Sequence, residues 1–236
     1  HFEGVRYIVS GGEPLSDAVY EGFRDRFGVR ICEGYGLTET SPVTNWTLPE
    51  CERRGTVGQP LPGVEEIIVG ENEERLGPGQ DGEIRIRGGN VMVGYFKQDD
   101  ATNAVFDGEG FFRTGDMGRM DENGFLSITG RIKEMLIISG ENVFPREMEE
   151  VLNRHPAISD AAVIGQKDPS RGEVPVAFVE LIEGATIDLS EVRAFCREVL
   201  PSYKVPRDIR VLDALPRNPT GKIQRRALHP MLEESA

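Results

Sequence analysis

One stretch of the chain combines residue types that can hold a nucleotide and its metal ion. In Glu33-Gly34-Tyr35-Gly36-Leu37-Thr38-Glu39 the glycines allow the backbone to approach a flat ligand closely, and Tyr35 offers a ring for stacking on a base. Thr38 offers a hydroxyl to a phosphate oxygen, and Glu39 is a hard oxygen ligand suited to Mg²⁺. The stretch predicts nucleotide binding, although a glycine-rich turn around a buried tyrosine is also compatible with it.

Two further motifs contain polar side chains that suit a ribose. Asp116, in Phe112-Arg113-Thr114-Gly115-Asp116, can accept hydrogen bonds from both hydroxyls of a cis-diol, or it can close a turn beside Gly115. Arg131, in Gly130-Arg131-Ile132-Lys133-Glu134-Met135, can fork onto ribose or phosphate oxygens. Lys133 lies between two stretches of different composition, which is compatible with a hinge or with a plain charged linker.

Lys222 lies in a loop that can present a charge. In Pro216-Arg217-Asn218-Pro219-Thr220-Gly221-Lys222-Ile223 two prolines and a glycine predict a projecting loop. The ammonium group is a compact, mobile charge that can stabilise the negative charge that develops as a carboxylate attacks phosphorus. The usual nucleotide P-loop pattern is absent, and a solvated surface lysine is the alternative.

The elements that must position these residues fall into three stretches. The first, about 1–50, reads as strand, helix, strand: Val5–Val9 is β-rich, Pro14 can start a helix with Leu15, Val19, Phe23 and Phe27 on one face, and Val29–Cys32 is a short strand. This predicts the edge of a parallel α/β sheet. A single crossover is too little for a stable sheet and the chain lacks an initiator methionine, so we expect further strands upstream.

The other two stretches have different periodicities. From about 55 to 130, strands such as Val64–Val69, Glu83–Arg87 and Phe125–Thr129 alternate with turn clusters, which predicts a small antiparallel β-subdomain. After Gly130 we expect a compact α+β unit. Its predicted elements are a helix from Pro145, a strand Val174–Leu181 interrupted at Pro175, a helix through Leu189, Val192, Phe195, Cys196 and Val199, and a strand at Ile209–Val211. The predicted boundary divides the chain into 1–131 and 132–236.

The composition of the chain limits the classes of ligand and partner that it is expected to bind. The formal net charge of -13 argues against nucleic acid held by a general basic field, and no apolar run approaches the roughly 18 residues of a membrane span. The 3 cysteines contain no Cys-x-x-Cys pair, so reduced thiols in a cytoplasm fit better than a zinc site or a disulfide framework. The scattered histidines give little material for a metal site or a Ser-His-Asp triad. Oligomeric state stays open.

Together and in this order, the motifs resemble the adenylate-forming superfamily of acyl-CoA synthetases, nonribosomal adenylation domains and beetle luciferases. Two further stretches agree, Ser10-Gly11-Gly12-Glu13-Pro14-Leu15 and Gly82-Glu83-Ile84-Arg85-Ile86-Arg87-Gly88 running to Gly94-Tyr95. The resemblance covers essentially the whole chain. It implies the end of a parallel α/β domain, an antiparallel β-subdomain and a mobile C-terminal α+β lid.

The resemblance also implies a role for each site residue. The adenine site would be lined by Gly12, Glu13, Pro14, Glu33, Gly34 and Tyr35. Thr38 would touch the α-phosphate, Glu39 would hold Mg²⁺, and Asp116 and Arg131 would bind the ribose with Ile128 packed nearby. Lys133 would be the hinge, and Lys222 would bridge the acyl carboxylate and the α-phosphate. The loop Ser139, Gly140 and Glu141 would approach the CoA thiol.

The implied reaction has two steps: ATP and a carboxylic acid give acyl-AMP and pyrophosphate, and a thiol, usually that of CoA, then takes the acyl group. Ile138–Pro145 is most similar to the fatty- and aryl-acid ligases. An adenylation domain that loads a carrier-protein thiol and a non-catalytic nucleotide-binding module are the alternatives; no residue favours a luciferase-like oxygenase. The family's Ser/Thr/Gly/Lys-rich phosphate loop is absent from this sequence, so we expect this chain alone to be inactive. Ser139 stands where many relatives have Gly, and Glu13 where many have Ala.

Overall fold

The computed structural model describes Phe2 and residues 4–233, and the chain divides into two units, His1–Ile132 and Lys133–Ala236. The helices of the described residues are α1 (Asp17–Phe27), α2 (Asp99–Ala104), α3 (Pro145–Leu152), α4 (Leu189–Val199) and α5 (His229–Glu233). The strands of the first unit are β1 (Val9–Gly11), β2 (Cys32–Gly36), β3 (Val43–Trp46), β4 (Gln59–Pro60), β5 (Val64–Val69), β6 (Gly82–Gly88), β7 (Phe112–Met120) and β8 (Leu126–Arg131). The strands of the second unit are β9 (Leu136–Ile138), β10 (Glu141–Val143), β11 (Ile158–Asp168), β12 (Gly172–Leu181) and β13 (Asp208–Leu212).

The first sheet has the order β1-β2-β3-β4, and β1 pairs with β2 in parallel across α1, as the strand-helix-strand pattern predicts. Both strands begin later than expected. Because β2 pairs with β1 on one side and β3 on the other, the hydrogen-bonded stretch is Cys32–Gly36 and not Val29–Cys32. The first half of the nucleotide motif therefore lies within a strand, where its backbone is already paired.

Helix α1 also departs from the prediction. Its N-cap is Ser16, whose hydroxyl accepts a hydrogen bond from the Val19 amide, so Pro14 precedes the helix instead of starting it. The expected apolar face is confirmed only in part: Leu15 and Phe23 are half-buried, but Val19 is 56% exposed, and Tyr20, which was not expected on that face, is buried. The guanidinium of Arg54 lies 4.2 Å from the centre of the Tyr20 ring and forms a cation-π contact with it.

The second sheet of the first unit is an antiparallel meander, β5-β6-β7-β8, which confirms the predicted arrangement. The strand expected at Val64–Val69 has those bounds. The core of this second sheet contains the fully buried Ile84, Ile86 and Leu126, and Tyr35 from β2 packs into the same cluster. One tyrosine thus joins the core of the second sheet to the nucleotide motif of the first.

The second unit is built on one sheet in the order β10-β9-β12-β11, with β13 pairing in parallel with β12. Helices α3 and α4 supply buried apolar side chains to the core, as their spacing predicts. Pro175 does not interrupt β12, contrary to expectation. It faces Gly165 of β11, and its carbonyl accepts a hydrogen bond from the Arg207 amide, so the strand stays paired on both sides of the ring.

Within the described residues, no helix combines the length and apolar character that crossing a bilayer requires. Cys32, Cys51 and Cys196 are all free, and Cys32 and Cys196 are buried. The described part of the chain also contains no group of three or more His, Cys, Asp or Glu side chains arranged to hold a metal ion.

Candidate functional site

The nucleotide motif continues from β2 into a short 3-10 turn, Thr38–Thr40. The buried Thr40 closes this turn: its hydroxyl accepts a hydrogen bond from the Leu37 amide at 2.9 Å and donates one to the Pro42 carbonyl at 2.6 Å. Thr38 is exposed and Glu39 is half-buried. The turn therefore presents a hydroxyl and a carboxylate on a backbone that cannot easily rearrange.

Gly36 is required by packing within the chain. A Cβ atom on this residue would lie 1.7 Å from the carbonyl oxygen of Pro42, so no side chain fits without moving the turn. The sequence interpretation assigned the glycines of this motif to close approach by a ligand. At Gly36 the group that approaches closely is the Pro42 carbonyl of the same chain and not a ligand.

Tyr35, Asp116 and Arg131 meet although they are far apart in the sequence. The Tyr35 hydroxyl donates to Asp116 Oδ2 at 2.7 Å, and Arg131 Nε lies 3.0 Å from Asp116 Oδ1. Asp116 and Arg131 are register partners in β7 and β8. Asp116 is 3% exposed and Tyr35 is 8% exposed, whereas Arg131 is exposed. The structure thus brings the predicted ribose carboxylate and the predicted ribose arginine into one ion pair.

Burial decides how Tyr35 can act. Its ring packs with Ile68, Ile84 and Leu126, which leaves little open ring surface and matches the alternative of a buried tyrosine. Burial, together with the charge of Asp116 and the hydrogen bond to it, raises the pKa of Tyr35 well above its usual range. The hydroxyl therefore stays protonated and orients the Asp116 carboxylate. Ile128 packs against the same cluster.

Glu39 is held by a residue to which the sequence interpretation assigned no role. The hydroxyl of Tyr95 donates to Glu39 Oε1 at 3.0 Å, and the Met92 amide donates to the Glu39 carbonyl at 2.7 Å. Burial and the neighbouring Glu39 raise the pKa of Tyr95, so its hydroxyl also remains a donor. No described residue donates to Glu39 Oε2. A carboxylate oxygen open on one side beside the exposed Thr38 fits the hard oxygen ligation that Mg²⁺ prefers.

Gly12, Glu13 and Pro14 form an exposed connection between β1 and α1. The connection lies beside the predicted adenine residue Glu33, because the Leu15 amide donates to Glu33 Oε2 at 3.4 Å and Gly34 pairs with Gly11. The sequence interpretation missed Arg54, which binds Glu33 Oε1 at 2.6 Å and Asp17 Oδ1 at 2.7 Å. No pattern in the sequence distinguishes Arg54 from the other surface arginines.

In the second unit, Lys222 lies near the end of a closed loop. The Asn218 amide donates to the Lys222 carbonyl at 2.9 Å, and Asn218 Oδ1 accepts a hydrogen bond from the Lys222 amide at 2.9 Å. Among the described residues none forms an ion pair with the Lys222 ammonium, whose two neighbouring arginines, Arg217 and Arg225, both pair with carboxylates. The loop therefore presents one uncompensated positive charge.

The remaining predicted residues of the second unit lie at its beginning. Lys133 is exposed in the 3-10 turn Ile132–Glu134, at the division between the two units. Ser139 and Gly140 form the tip of the hairpin between β9 and β10, and Glu141 begins β10; all three are exposed. Ser139 has a φ of 54° and Gly140 a φ of 88°, so the serine adopts a conformation that favours glycine.

Comparison with known proteins gives one consistent family. The AMP-binding enzyme family matches residues 1–96, and the C-terminal domain of AMP-binding enzymes matches residues 147–222. The chain is 40% identical over 224 residues to sulfoacetate–CoA ligase of Cupriavidus necator, covering 94% of this chain and 44% of that protein. It is 37% identical over 228 residues to long-chain-fatty-acid–CoA ligase of Escherichia coli O157:H7, covering 96% of this chain and 40% of the relative.

Among solved structures, the chain is similar to o-succinylbenzoate CoA synthetase from Bacillus subtilis in complex with its acyl-adenylate intermediate. The TM-score is 0.87 at 37% sequence identity, and the match covers 96% of this chain and 46% of that one. The chain thus spans less than half the length of each of these three proteins.

Proposed function

The chain belongs to the family of AMP-binding enzymes, and from this we propose that it is the part of a carboxylate–CoA ligase that binds the adenosine and carries the catalytic lysine. The proposed reaction first joins a carboxylate oxygen to the α-phosphorus of ATP and releases pyrophosphate. The sulfur of CoA then attacks the acyl carbon and AMP leaves. A fatty or aryl acid is the proposed substrate class, because Ile138–Pro145 is most similar to ligases of those acids.

The observation that carries this proposal is the buried Asp116 carboxylate, held between the Tyr35 hydroxyl and the Arg131 guanidinium. A carboxylate held in a fixed orientation can accept hydrogen bonds from both hydroxyls of a ribose. Its geometry is set by neighbours that do not depend on a ligand. We propose that Asp116 and Arg131 bind the ribose and that Tyr35 contributes by orienting Asp116.

The phosphate-facing residues are assigned by their chemistry. Thr38 would donate a hydrogen bond to an α-phosphate oxygen, while Gly12, Glu13, Pro14, Glu33 and Gly34 would line the adenine. Glu39, steadied by Tyr95, would hold Mg²⁺, which when bound neutralises charge on the phosphates. Lys222 would stabilise the charge shared by the attacking carboxylate and the α-phosphate. Lys133 would be the pivot of a mobile second unit, and Ser139, Gly140 and Glu141 would face the CoA thiol.

The proposal is tested with the complete product of the gene that encodes this sequence. The purified protein, ATP and Mg²⁺ are incubated with a panel of acids, and AMP, pyrophosphate and thioester are measured with CoA, with a carrier protein or with neither. AMP formation that requires CoA and yields acyl-CoA supports the proposal. Acylation of a carrier protein alone would establish the carrier-loading alternative, and nucleotide binding without pyrophosphate release would establish a non-catalytic module.

A second test uses the 236-residue chain by itself. This polypeptide contains no Ser/Thr/Gly/Lys-rich stretch of the kind that the family resemblance assigns to the β- and γ-phosphates. We therefore expect it to form no thioester from ATP, acid and CoA. Thioester formation by the purified chain would contradict this expectation. A cytoplasmic location is also proposed, consistent with three free cysteines.

A further inference from the structure

The loop that carries Lys222 is tied to the rest of its unit by the arginines on either side. Arg217 Nη2 lies 2.7 Å from Asp160 Oδ2 in β11. Arg225, the third residue after Lys222, binds the Glu149 carboxylate of α3. Arg226 is exposed, and no described residue pairs with it. The two cations that flank the lysine are therefore occupied with holding the loop.

The attachment through Arg225 is the more buried of the two. Arg225 Nη2 lies 2.8 Å from Glu149 Oε2 and 3.0 Å from Oε1, and its Nε lies 3.2 Å from Oε1. Glu149 is only 6% exposed, and its Oε1 also accepts a hydrogen bond from the Val163 amide of β11 at 2.8 Å. A guanidinium that forks onto a buried carboxylate has its position and orientation determined.

The same guanidinium reaches a second carboxylate. Arg225 Nη1 lies 3.5 Å from Oε1 of Glu134, the residue that directly follows Lys133. One side chain thus contacts both helix α3 and the turn Ile132–Glu134, where the second unit begins. The segment proposed as the pivot is connected to the base of the Lys222 loop by one residue.

The loop transmits this attachment to the lysine. Asn218 is bonded to Lys222 through both its backbone amide and its side-chain oxygen, and the Gln224 amide donates to the Pro216 carbonyl at 2.7 Å. The segment from Pro216 to Gln224 is therefore closed on itself, and Arg225 follows it immediately. Displacing Arg225 would displace the backbone of Lys222.

We propose that Arg225 is a positioning residue, which fixes the Lys222 loop to α3 and to the segment at Lys133. Lys222 then moves with its unit as one body and does not sample positions as a free surface lysine does. This inference rests on the proposed function for the role of Lys222. Its structural part, the attachment of the loop, can be measured without any activity.

The activity test compares the two half-reactions in the complete gene product. We expect Arg225→Gln to slow acyl-AMP formation by about 100-fold, the scale of loss that a misplaced catalytic group produces, and to leave thioester formation from supplied acyl-AMP nearly unchanged. Arg225→Lys should recover part of the loss, because an ammonium pairs with Glu149 but cannot fork onto it. Arg226→Gln makes the same charge change one residue away and should alter neither rate. Equal loss in both half-reactions would overturn the proposal.

The structural test measures amide hydrogen exchange in the 236-residue chain. Arg225→Gln should accelerate exchange at the Lys222 and Gln224 amides, while Ala177 and Val179 in β12 keep their protection and Arg226→Gln matches the wild type. If Arg225→Gln also reduces the protection of the β12 amides, the milder variants Arg225→Lys and Glu134→Gln are measured instead. Both should still accelerate exchange at the Lys222 and Gln224 amides. Wild-type protection of these amides in both variants would overturn the proposal. A wild-type gene product without acyl-AMP formation would refute the proposed function and leave the exchange result standing.

Discussion

Two carboxylates of the first unit each accept a hydrogen bond from a tyrosine hydroxyl: Asp116 from Tyr35 and Glu39 from Tyr95. Their remaining oxygens differ. Asp116 Oδ1 is paired with Arg131, whereas no described residue donates to Glu39 Oε2. An exposed arginine beside a carboxylate suits a ribose, and an open carboxylate oxygen suits a cation. The same tyrosine-carboxylate pairing therefore serves two different proposed roles.

At the same scale, Lys222→Ala separates the half-reactions of the complete gene product. Removing a charge that acts while the carboxylate attacks phosphorus should lower the adenylation rate by roughly 100- to 1000-fold. Thioester formation from supplied acyl-AMP should be largely spared. Rapid-quench measurement of each half-reaction tests this, with Lys167→Ala, an exposed lysine of β11, as the control. Equal loss in both steps would remove the role proposed for Lys222.

Glu66 predicts a pH dependence of stability in the first unit. It is 9% exposed, and Asn45 Nδ2 donates to its Oε2 at 3.0 Å while its Oε1 has no partner among the described residues. Burial raises the pKa of Glu66 from 4.5 to about 7, in spite of hydrogen bonds from Asn45 and Thr44 that lower it. Below about pH 4.5 Glu66 is protonated in both states and does not lower the free energy of unfolding. Above that pH its ionisation in the unfolded chain lowers the free energy of unfolding progressively, until the pH passes about 7.

Replacing Glu66 by the neutral Gln should remove that loss of stability. We expect Glu66→Gln to raise the free energy of unfolding by about 3 kcal/mol above pH 7, with a difference that shrinks toward zero near pH 4.5. Urea unfolding followed by the fluorescence of Trp46, the chain's 1 tryptophan, reports on the same unit. Glu65→Gln, the exposed neighbour in β5, should show no such pH trend. A pH-independent difference would show that the pKa of Glu66 is not raised in the fold.

At the scale of elements, the β9–β10 hairpin contains a strained residue. Ser139 adopts a φ of 54°, in the left-handed region where a side chain is unfavourable. Ser139→Gly should therefore stabilise the second unit by about 0.5–1 kcal/mol, in spite of the extra freedom that glycine has in the unfolded chain. Thermal unfolding of both chains tests this, with Ser170→Gly in the exposed β11–β12 turn as the control. A lower melting temperature for Ser139→Gly would contradict the expectation.

The other turns of the site are held by different side-chain interactions. The Thr38–Thr40 turn depends on the Thr40 hydroxyl and on the lack of a side chain at Gly36. The Lys222 loop depends on the side-chain oxygen of Asn218. In both cases the hydrogen bonds lie within a few residues of the group they position. The internal shape of each turn is therefore set by local hydrogen bonds and not by a ligand, whereas its attachment to the rest of the unit uses distant residues.

At the scale of the whole molecule, the chain divides between Ile132 and Lys133. If Lys133 is the pivot, its backbone torsions must change between the half-reactions, and proline locks φ. We expect Lys133→Pro to impair one half-reaction about tenfold or more relative to the other, a barrier difference of ~1.4 kcal/mol. The two rates are measured as for Lys222. Lys133→Ala, which removes the charge but leaves the backbone free, is the control, and two normal half-reactions in Lys133→Pro would exclude Lys133 as the pivot.

Elements whose signals are local could be predicted from the sequence. Pro145 at the start of α3, the apolar spacing of α4 and the β-rich run of β5 each specify their element within a few residues, and the structure has these elements at those positions. The family motifs likewise lie in short stretches, so the sequence alone identified the family. The burial of Tyr20 on α1 was not predicted, and Arg54, which lies over its ring, is far from it in the sequence.

What the tertiary structure decided is which side chains meet. Tyr35 and Asp116 are 81 residues apart, and only the packing of β2 against the second sheet buries the tyrosine and aims its hydroxyl at the carboxylate. The pairs Tyr95–Glu39 and Arg225–Glu149 likewise join distant segments. Sequence by itself determined the residue types and the local elements, because propensity and spacing act over a few residues. Burial and partnership required the fold, because they are properties of chains brought together in space.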